Sequence, residues 1–561
     1  MASNPVEGSS NDIVMEDSSL DDRTKQYKVS KAWVDNAPPV DDYQMISAWL
    51  TAVEPTDEKE TTEADLFPSD TASMTSTNYY NQESFQKYQP KLFKLLAGIV
   101  PRDVSIDRVG RMKGGGNNRT ASISLDWPAG KKFKVNGKLG FNARPEDSEV
   151  RAVFRASRWP IKGREDPDIL DNYAILTILS ARGLKVPNVL AYDSTSNNTV
   201  CVPYMLLQRI SGIRLEEIYP SLTQKQKERV AMLVAQMLLT FDQVKSDVTG
   251  PLKGAENGIP IKFGFQEEQP RNFSVIIANF VIGRNNKYTV QYSNHPHTLM
   301  KRLFHCWAEG RGSNKSTHPY VSQAYVYCFK MLSDVLDAMR ARGFFDKNCR
   351  ENIALHHPDF YARNIIIGAS CRRPDNLTFE IEGVIDWDDT TFLPEVLRSS
   401  PCAWLWELGG PTASHVPAWE EWYGDSDELP AGRFDFRLNP DELAIKAKFD
   451  RAMGEKRCGL MYKNEYIWIR RLWKFALNGI YLGNETDLVR FRNFMFRWGE
   501  YADATNKFFA DSKAKYKNVF EPGILDAAHD LMVQQDAALN AADTKDRVPL
   551  RSKVASKDQL N

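Results

Sequence analysis

The stretch Leu355–Ile367, LHHPDFYARNIII, decides the fold, because it joins a polar loop directly to a β-branched strand. Within it, His357, Asp359 and Asn364 follow the spacing H-x-D-x-x-x-x-N. Twenty-two residues after Asn364, Asp386 ends a second apolar strand in the sequence GVIDWDD. The short spacing allows one loop to present a carboxylate and an amide together, with a second carboxylate arriving from the next strand.

These residue types are the ones that phosphoryl transfer from ATP requires. A carboxylate must accept the proton of an attacking hydroxyl, and oxygen ligands must hold Mg²⁺ against the phosphates. We therefore predict Asp359 as the base and Asn364 and Asp386 as the Mg²⁺ ligands. His357 is a further catalytic candidate, with support of the loop as its favoured role. In the alternative interpretation, His357 and Asp359 only order a loop and Asp386 caps a turn; the order of the two motifs favours the catalytic one.

Composition excludes several classes of protein. The chain has 561 residues, 42% of them hydrophobic and 11% aromatic, which excludes wholesale disorder. Its seven cysteines include no C-x-x-C pair, which argues against a disulfide scaffold and against a zinc ribbon. The net charge of −1 gives no sign of a nucleic-acid partner. Residues 1–80 carry a net −11 and the remainder +10, which suits an anionic ligand such as a nucleotide.

The sequence divides into four predicted segments. Residues 1–80 form an acidic leader, expected to be disordered apart from a short helix near 43–53 and able to dock a protein partner. Residues 81–210 form a small, mainly β N-lobe that binds the nucleotide. Residues 211–540 form a helical C-lobe with the catalytic loop and metal site, and residues 541–561 form a disordered tail. We therefore predict an α+β fold of two lobes, with the ligand cleft between them.

Hydrophobic periodicity predicts the main elements of both lobes. Three strands are predicted at 119–127, 149–157 and 199–210, and helices are predicted at 168–182, 230–244, 321–342, 465–481 and 486–509. The longest apolar run, FSVIIANFVI at 273–282, is about half of a bilayer span. No signal peptide, transit peptide or membrane span is recognised, so we predict a cytoplasmic protein without a membrane partner.

Two features of the N-lobe could bind phosphate. The run Gly110–Thr120, GRMKGGGNNRT, precedes a strand, and its glycines let backbone N–H groups approach phosphate oxygens, although such a run can also be only a turn. Arg155 lies in the predicted strand 149–157, where its planar guanidinium could hold phosphates. A solvated strand arginine is the alternative, and Arg151 and Arg158 are the other candidates for this role.

Taken together, the motifs resemble the aminoglycoside phosphotransferase family, especially its fungal-type members, the small-molecule branch of the protein-kinase-like fold. Residues 203–212, PYMLLQRISG, resemble the strand that lines the adenine pocket of that family, and residues 401–406, PCAWLW, resemble the segment after its metal aspartate. The similarity spans about residues 105–500. A protein kinase fits badly, because H-R-D, D-F-G and A-P-E are all missing.

The resemblance implies a protein-kinase-like bilobal fold, ATP and Mg²⁺ as cofactors, and a hydroxyl of a small molecule as the acceptor. One departure concerns the helix glutamate that orients the cation, because that position falls at Asn172. A catalytically inactive nucleotide-binding or interaction protein is therefore the alternative hypothesis. Asp388 and Asp389 either attract a cationic substrate or are solvated loop acids. The nucleotide-binding residues implied by the resemblance are Gly115, Gly116, Asn118, Arg155, Asn172, Leu206, Leu207, Gln208 and Asp386.

Overall fold

The computed structural model describes residues 82–534 and residue 537, in segments. The gaps within this range are 101–103, 113–117, 127–131, 136–138, 143–148, 159–166, 256–273, 278–279, 283–287, 291–292, 313–317, 346–348, 350–351, 372–376, 407–437, 504–524 and 535–536. The chain divides into one unit of residues 1–63 and 369–378 and a second of residues 64–368 and 379–561. The candidate site residues named above all lie in the second unit. The leader, its predicted short helix and the tail at 541–561 lie outside the described residues.

The elements follow one another in a mixed α and β order. The strands are β1 (Ser105–Arg111), β2 (Asn118–Asp126), β3 (Lys132–Val135), β4 (Leu139–Asn142), β5 (Glu149–Ser157), β6 (Val189–Asp193), β7 (Tyr204–Gln208), β8 (Ile213–Arg214), β9 (Gly250–Ala255), β10 (Ser274–Ile277), β11 (Phe280–Ile282), β12 (Tyr288–Val290), β13 (Ala354–His356), β14 (Ile365–Cys371), β15 (Leu377–Val384) and β16 (Thr391–Leu393). The helices are α1 (Phe85–Ile99), α2 (Pro167–Ala181), α3 (Leu215–Ile218), α4 (Gln224–Phe241), α5 (Pro296–Gly312), α6 (Pro319–Ala341), α7 (Glu395–Arg398), α8 (Pro440–Met453), α9 (Glu455–Tyr462), α10 (Asn464–Asn478) and α11 (Glu485–Asp503).

The N-lobe is built on an antiparallel five-stranded sheet with the order β1-β2-β5-β7-β6. Residues on β5 alternate, so that Ala152, Phe154 and Ala156 are buried against helix α1 and the neighbouring strands. The period of two then sends Arg155 to the opposite face, away from this core. The bounds of β2 and β5 agree with the predicted strands to within one residue, because alternation of this kind is the clearest strand signal.

The predicted strand at 199–210 was too long. Strand β7 begins only at Tyr204, because Cys201 adopts a left-handed backbone with φ of 57° and Pro203 cannot donate a ladder hydrogen bond. Residues 199–202 therefore form a turn that leads into the strand. The buried part of the prediction, Tyr204 to Leu207, is correct.

The C-lobe is largely helical, with α5, α6 and α9–α11 enclosing an apolar core. A capping box at Thr223 and Gln226 starts α4, and another at Asn439 and Glu442 starts α8. Two further sheets, with orders β10-β9-β16-β13 and β15-β14-β8, carry the loops of the candidate site. An antiparallel N-terminal sheet followed by a helical C-terminal region makes the fold α+β, as predicted.

The apolar run at 273–282 contributes strands β10 and β11. Within the segments that the structure describes, no helix is long and apolar enough to cross a membrane.

Candidate active site

The loop between β13 and β14 holds Asp359 and Asn364 side by side. The Asn364 amide donates hydrogen bonds from Nδ2 to the backbone oxygen of Asp359 at 2.9 Å and to its carboxylate Oδ2 at 2.7 Å. Arg363 pairs with the other carboxylate oxygen, Oδ1. The carboxylate is therefore oriented through both oxygens, and its side chain remains 34% exposed, so that a substrate hydroxyl could approach it.

His357 is buried beneath this loop. Its Nε2 contacts the backbone oxygen of Ile385 at 3.0 Å, and its Nδ1 accepts a hydrogen bond from the Asp359 N–H at 3.1 Å. These two contacts together require a neutral imidazole with the proton on Nε2. Burial lowers the pKa of His357 to about 4, although the Ile385 carbonyl and the Asp359 charge act in the opposite direction. The imidazole thus ties the loop of Asp359 to the strand that leads to Asp386.

Asp386 follows β15 in a strained backbone conformation, with φ of 64°. The Ile385 N–H donates to the Asn364 backbone oxygen at 2.9 Å, which fixes the two candidate metal ligands relative to each other. Strand β15 approaches Ile210 and Lys185 closely, since a Cβ at Gly383 would lie 2.4 Å from Ile210 Cδ1 and 2.9 Å from the Lys185 backbone oxygen. Only glycine permits this contact.

Electrostatic repulsion is concentrated at the Asp386 carboxylate. Partial desolvation raises its pKa, and the charges of Asp388 and Asp359 act in the same direction, while Arg155 and Arg363 oppose them. A carboxylate with such neighbours gains from the approach of a cation.

Arg155 reaches this group of acids from the N-lobe sheet. Its Nη2 pairs with Asp388 Oδ2, and its Nη1 lies 3.7 Å from Asp386 Oδ1. The Asn118 amide oxygen, in the orientation that satisfies both groups, accepts from Arg155 Nη2 at 2.7 Å and Nε at 3.0 Å. The guanidinium therefore connects the start of β2 with the loop that follows β15.

The other arginine candidates are placed differently. Arg158 is buried and donates to Gln82 Oε1 at 2.6 Å, and Arg151 is exposed on the outer part of β5. Asn172 is 8% exposed on helix α2. Its neighbour Asp171 pairs with Lys253 of β9 through Oδ2 at 2.6 Å. The acid of helix α2 is thus engaged by a lysine of the C-lobe sheet.

The candidate adenine strand is β7, where Leu206 and Leu207 are buried at 2% and 8% exposure. Gln208 accepts from Asn188 Nδ2 through its side-chain oxygen at 2.8 Å, and its backbone N–H donates to the Asn188 carbonyl at 2.7 Å. Of the glycine-rich loop, Asn118 is described as the first residue of β2, whereas Gly115 and Gly116 lie outside the described residues.

The oxygen donors present fit a Mg²⁺ ion. Because Asn364 uses Nδ2 for both contacts with Asp359, its Oδ1 is the atom left to face a cation. Asp388 Oδ1 is buried with no hydrogen-bond partner in the described part of the chain, and Asp386 is repelled by its acidic neighbours. No group of three His, Cys, Asp or Glu side chains in the described segments forms a ready metal site. An ion held by one or two protein oxygens and by substrate phosphates is the usual arrangement for Mg²⁺.

Sequence reasoning missed two contacts of this site. Arg363 pairs with Asp359 at a separation of four residues, a spacing that the quoted motif contains and that could have suggested the contact. Asp388 was left open between substrate attraction and solvation, and in the structure it pairs with Arg155, 233 residues away. No local pattern signals a contact over that distance.

The chain is similar, at low sequence identity, to solved structures of aminoglycoside phosphotransferases. No curated protein matches the chain. Among solved structures, a thermostable mutant of aminoglycoside phosphotransferase APH(4)-Ia, in ternary complex with AMP-PNP and hygromycin B, is 14% identical, with 73% of this chain and 99% of that chain covered and a TM-score of 0.36. The gentamicin complex of APH(2")-IIa is 12% identical, with coverages of 76% and 99% and a TM-score of 0.34. A putative aminoglycoside phosphotransferase from Ralstonia eutropha JMP134 is 12% identical, with coverages of 79% and 97% and a TM-score of 0.34.

The family comparison concerns the part of the chain that holds the site. Residues 146–397 match the sequence profile described as "Phosphotransferase enzyme family", which also carries the initials APH. This range contains Arg155, the candidate adenine strand β7, Asp359, Asn364 and Asp386. Through residues 146–397, the chain matches the profile of the phosphotransferase enzyme family.

Proposed function

We propose that the protein transfers the γ-phosphoryl group of ATP to a hydroxyl of a small molecule. The family assignment supports a small-molecule phosphotransferase. The observation that carries the finer proposal is the convergence of one carboxylate, Asp359, with two candidate metal ligands, Asn364 and Asp386. These residues are linked by the Asn364–Asp359 bonds and by the Ile385–Asn364 hydrogen bond. The proposed nucleotide is ATP, as the motifs predict; one solved structure named above is a complex with AMP-PNP and hygromycin B, and another is a complex with gentamicin.

Each residue has a role that its surroundings support. Asp359 would accept the proton of the acceptor hydroxyl, and Arg363 and Asn364 would keep its carboxylate oriented. Asn364 and Asp386 would hold Mg²⁺, which, when bound, neutralises charge on the phosphate oxygens. Arg155 would bind the phosphates together with the glycine-rich loop. Most of the rate enhancement would then come from positioning and charge neutralisation.

His357 belongs to this mechanism as a positioning residue. A pKa of about 4 and two hydrogen bonds leave the imidazole neutral and occupied near pH 7. It would hold the Asp359 loop against the backbone of Ile385 and would not itself transfer a proton.

A thermal-shift titration with ATP, with and without Mg²⁺, tests the nucleotide and metal assignments. A ligand at about 100 times its Kd adds about 2.7 kcal/mol of stability. We expect a Mg²⁺-dependent shift in the wild type, a reduced shift in Asp386→Ala, and an unchanged shift in Asp247→Ala, which alters an exposed acid elsewhere in the C-lobe. The absence of any shift with ATP in the wild type would overturn the proposed function. If the Mg²⁺-dependent shift is observed, a screen of hydroxyl acceptors by ADP release would identify the substrate.

A further inference from the structure

The cation that would bind the nucleotide phosphates pairs with an acid from the C-lobe loop. We propose that Asp388 is the positioning residue for Arg155 and supplies the negative charge missing at Asn172. This inference rests on the proposed function and adds a residue to it.

Asp388 and Asn118 together contact one edge of the planar Arg155 guanidinium. Arg155 Nη2 pairs with Asp388 Oδ2, and the same edge bonds the Asn118 amide oxygen through Nη2 and Nε at 2.7 and 3.0 Å. Nη1 lies on the other side of the planar group, 3.7 Å from Asp386 Oδ1. The held edge therefore directs the second terminal nitrogen toward the candidate metal site, where the phosphates would lie.

Burial makes this pair stronger than a surface ion pair. The Arg155 side chain is 15% exposed and that of Asp388 is 35% exposed. Among the residues that the structure describes, buried Asp388 Oδ1 has no hydrogen-bond partner, and the ion pair with Arg155 stabilises this carboxylate through Oδ2. Each partner thus depends on the other, as in other partly desolvated charge-assisted pairs.

Helix α2 is the competing source of an acid. Asp171, the residue before Asn172, is 10% exposed in its side chain and pairs with Lys253 at 2.6 Å. A carboxylate held there by a lysine serves the packing of α2 on β9. Asp388, two residues beyond the candidate metal ligand, takes the role in its place.

Binding measurements on single variants test the assignment without knowledge of the acceptor. The probes are Mg²⁺-ATP and adenosine, titrated by calorimetry into the full chain. Because Arg155 would contact only the phosphates, we expect Asp388→Asn to weaken Mg²⁺-ATP binding about tenfold and adenosine binding less than about twofold. The comparison variant Asp171→Asn should leave both affinities within about twofold. Asp388→Glu, which keeps the charge, should bind Mg²⁺-ATP within about threefold of the wild type and shows that the site still folds.

A double-mutant cycle completes the test. Once Arg155→Met has weakened Mg²⁺-ATP binding, adding Asp388→Asn should change it less than about twofold, because both substitutions remove the same interaction. Wild-type affinity in Asp388→Asn would overturn the inference, and tighter binding would show that Asp388 competes with the phosphates. A larger loss in Asp171→Asn than in Asp388→Asn would return the role to helix α2. A wild type that binds adenosine but not Mg²⁺-ATP would overturn the proposed function and this inference together.

Discussion

Replacement of Asp242 by asparagine removes one charge from a buried ion-pair cluster that it forms with Arg398 and Arg457. Asp242 follows helix α4 and pairs with Arg398 through Oδ1, while its Oδ2 lies 3.3 Å from Arg457 Nη1. The three side chains are 16%, 3% and 6% exposed. Asparagine has nearly the same volume, so the substitution changes charge and leaves the packing intact.

The arrangement gives the magnitude of the effect. Without Asp242, two buried guanidinium groups face one carboxylate, Glu395, whose Oε1 lies 2.9 Å from Arg457 Nη1. Burial already lowers the pKa of Arg398, and the charge of Arg457 acts in the same direction. The protonated form of Arg398 is therefore destabilised even before Asp242 is removed. Removing one partner of a buried ion pair costs about 3–5 kcal/mol. Asparagine retains one hydrogen-bond acceptor, so we expect a loss of about 3 kcal/mol, near the lower end of that range.

Equilibrium unfolding in urea measures this loss directly. The matched control is Asp247→Asn, which makes the same charge change five residues away at an exposed position and should alter stability by less than about 0.5 kcal/mol. The effect should extend to the site, because Phe241 packs edge-on against Phe360 and Trp387, with ring centroids 5.2 Å apart in both pairs. A loss under about 1 kcal/mol relative to the control would refute the view that Asp242 neutralises this cluster.

Three further outcomes are expected. Asp359→Asn should lower kcat at least about 100-fold and change the Kd for ATP less than about threefold, as measured by ADP release and calorimetry; retention of turnover would exclude Asp359 as the base. Because the folded-state pKa of His357 is about 4, below the ordinary value, its contribution to stability is present above pH 6.5 and is lost as pH falls toward 4. Unfolding free energies of His357→Gln should therefore change less between pH 6.5 and 4 than those of the wild type, and parallel curves would contradict this reading. Gly383→Ala should destabilise the fold by about 1–3 kcal/mol, because its Cβ would clash with Ile210. Gly459→Ala, which has open space at its Cβ, should not destabilise it. Equal unfolding midpoints for the two variants would show that Ile210 moves to make room for the methyl group.

The sequence predicted local structure well wherever a strong period was present. The bounds of strand β5 were predicted to the residue because burial alternates along it. The H-x-D-x-x-x-x-N loop leads into strand β14 and Asp386 follows strand β15, as expected. Predictions were less accurate where backbone conformation interrupts an apolar run, as at Cys201. The pairing of Arg155 with Asp388 depends on how the N-lobe sheet and the C-lobe loop meet, and pattern within either segment carries no information about it.

The position of the helix glutamate shows the same limit. When the helix is aligned with the family pattern, Asn172 stands where the family has a glutamate, so one negative charge is missing. The alternative of an inactive protein follows from that missing charge. The structure locates a carboxylate beside Arg155 that arrives from a different part of the chain. Loss of a familiar residue therefore does not by itself indicate loss of activity.

The ion pair between Arg155 and Asp388 also bears on how products would leave. Arg155 belongs to a strand of the N-lobe and Asp388 to a loop of the C-lobe, so the pair joins the two lobes. If release of ADP required the lobes to move apart, these charges would separate, and that separation would contribute to the barrier for product departure. Since the energy of a partly exposed pair is screened by dissolved ions, turnover limited by ADP release would become faster as ionic strength rises.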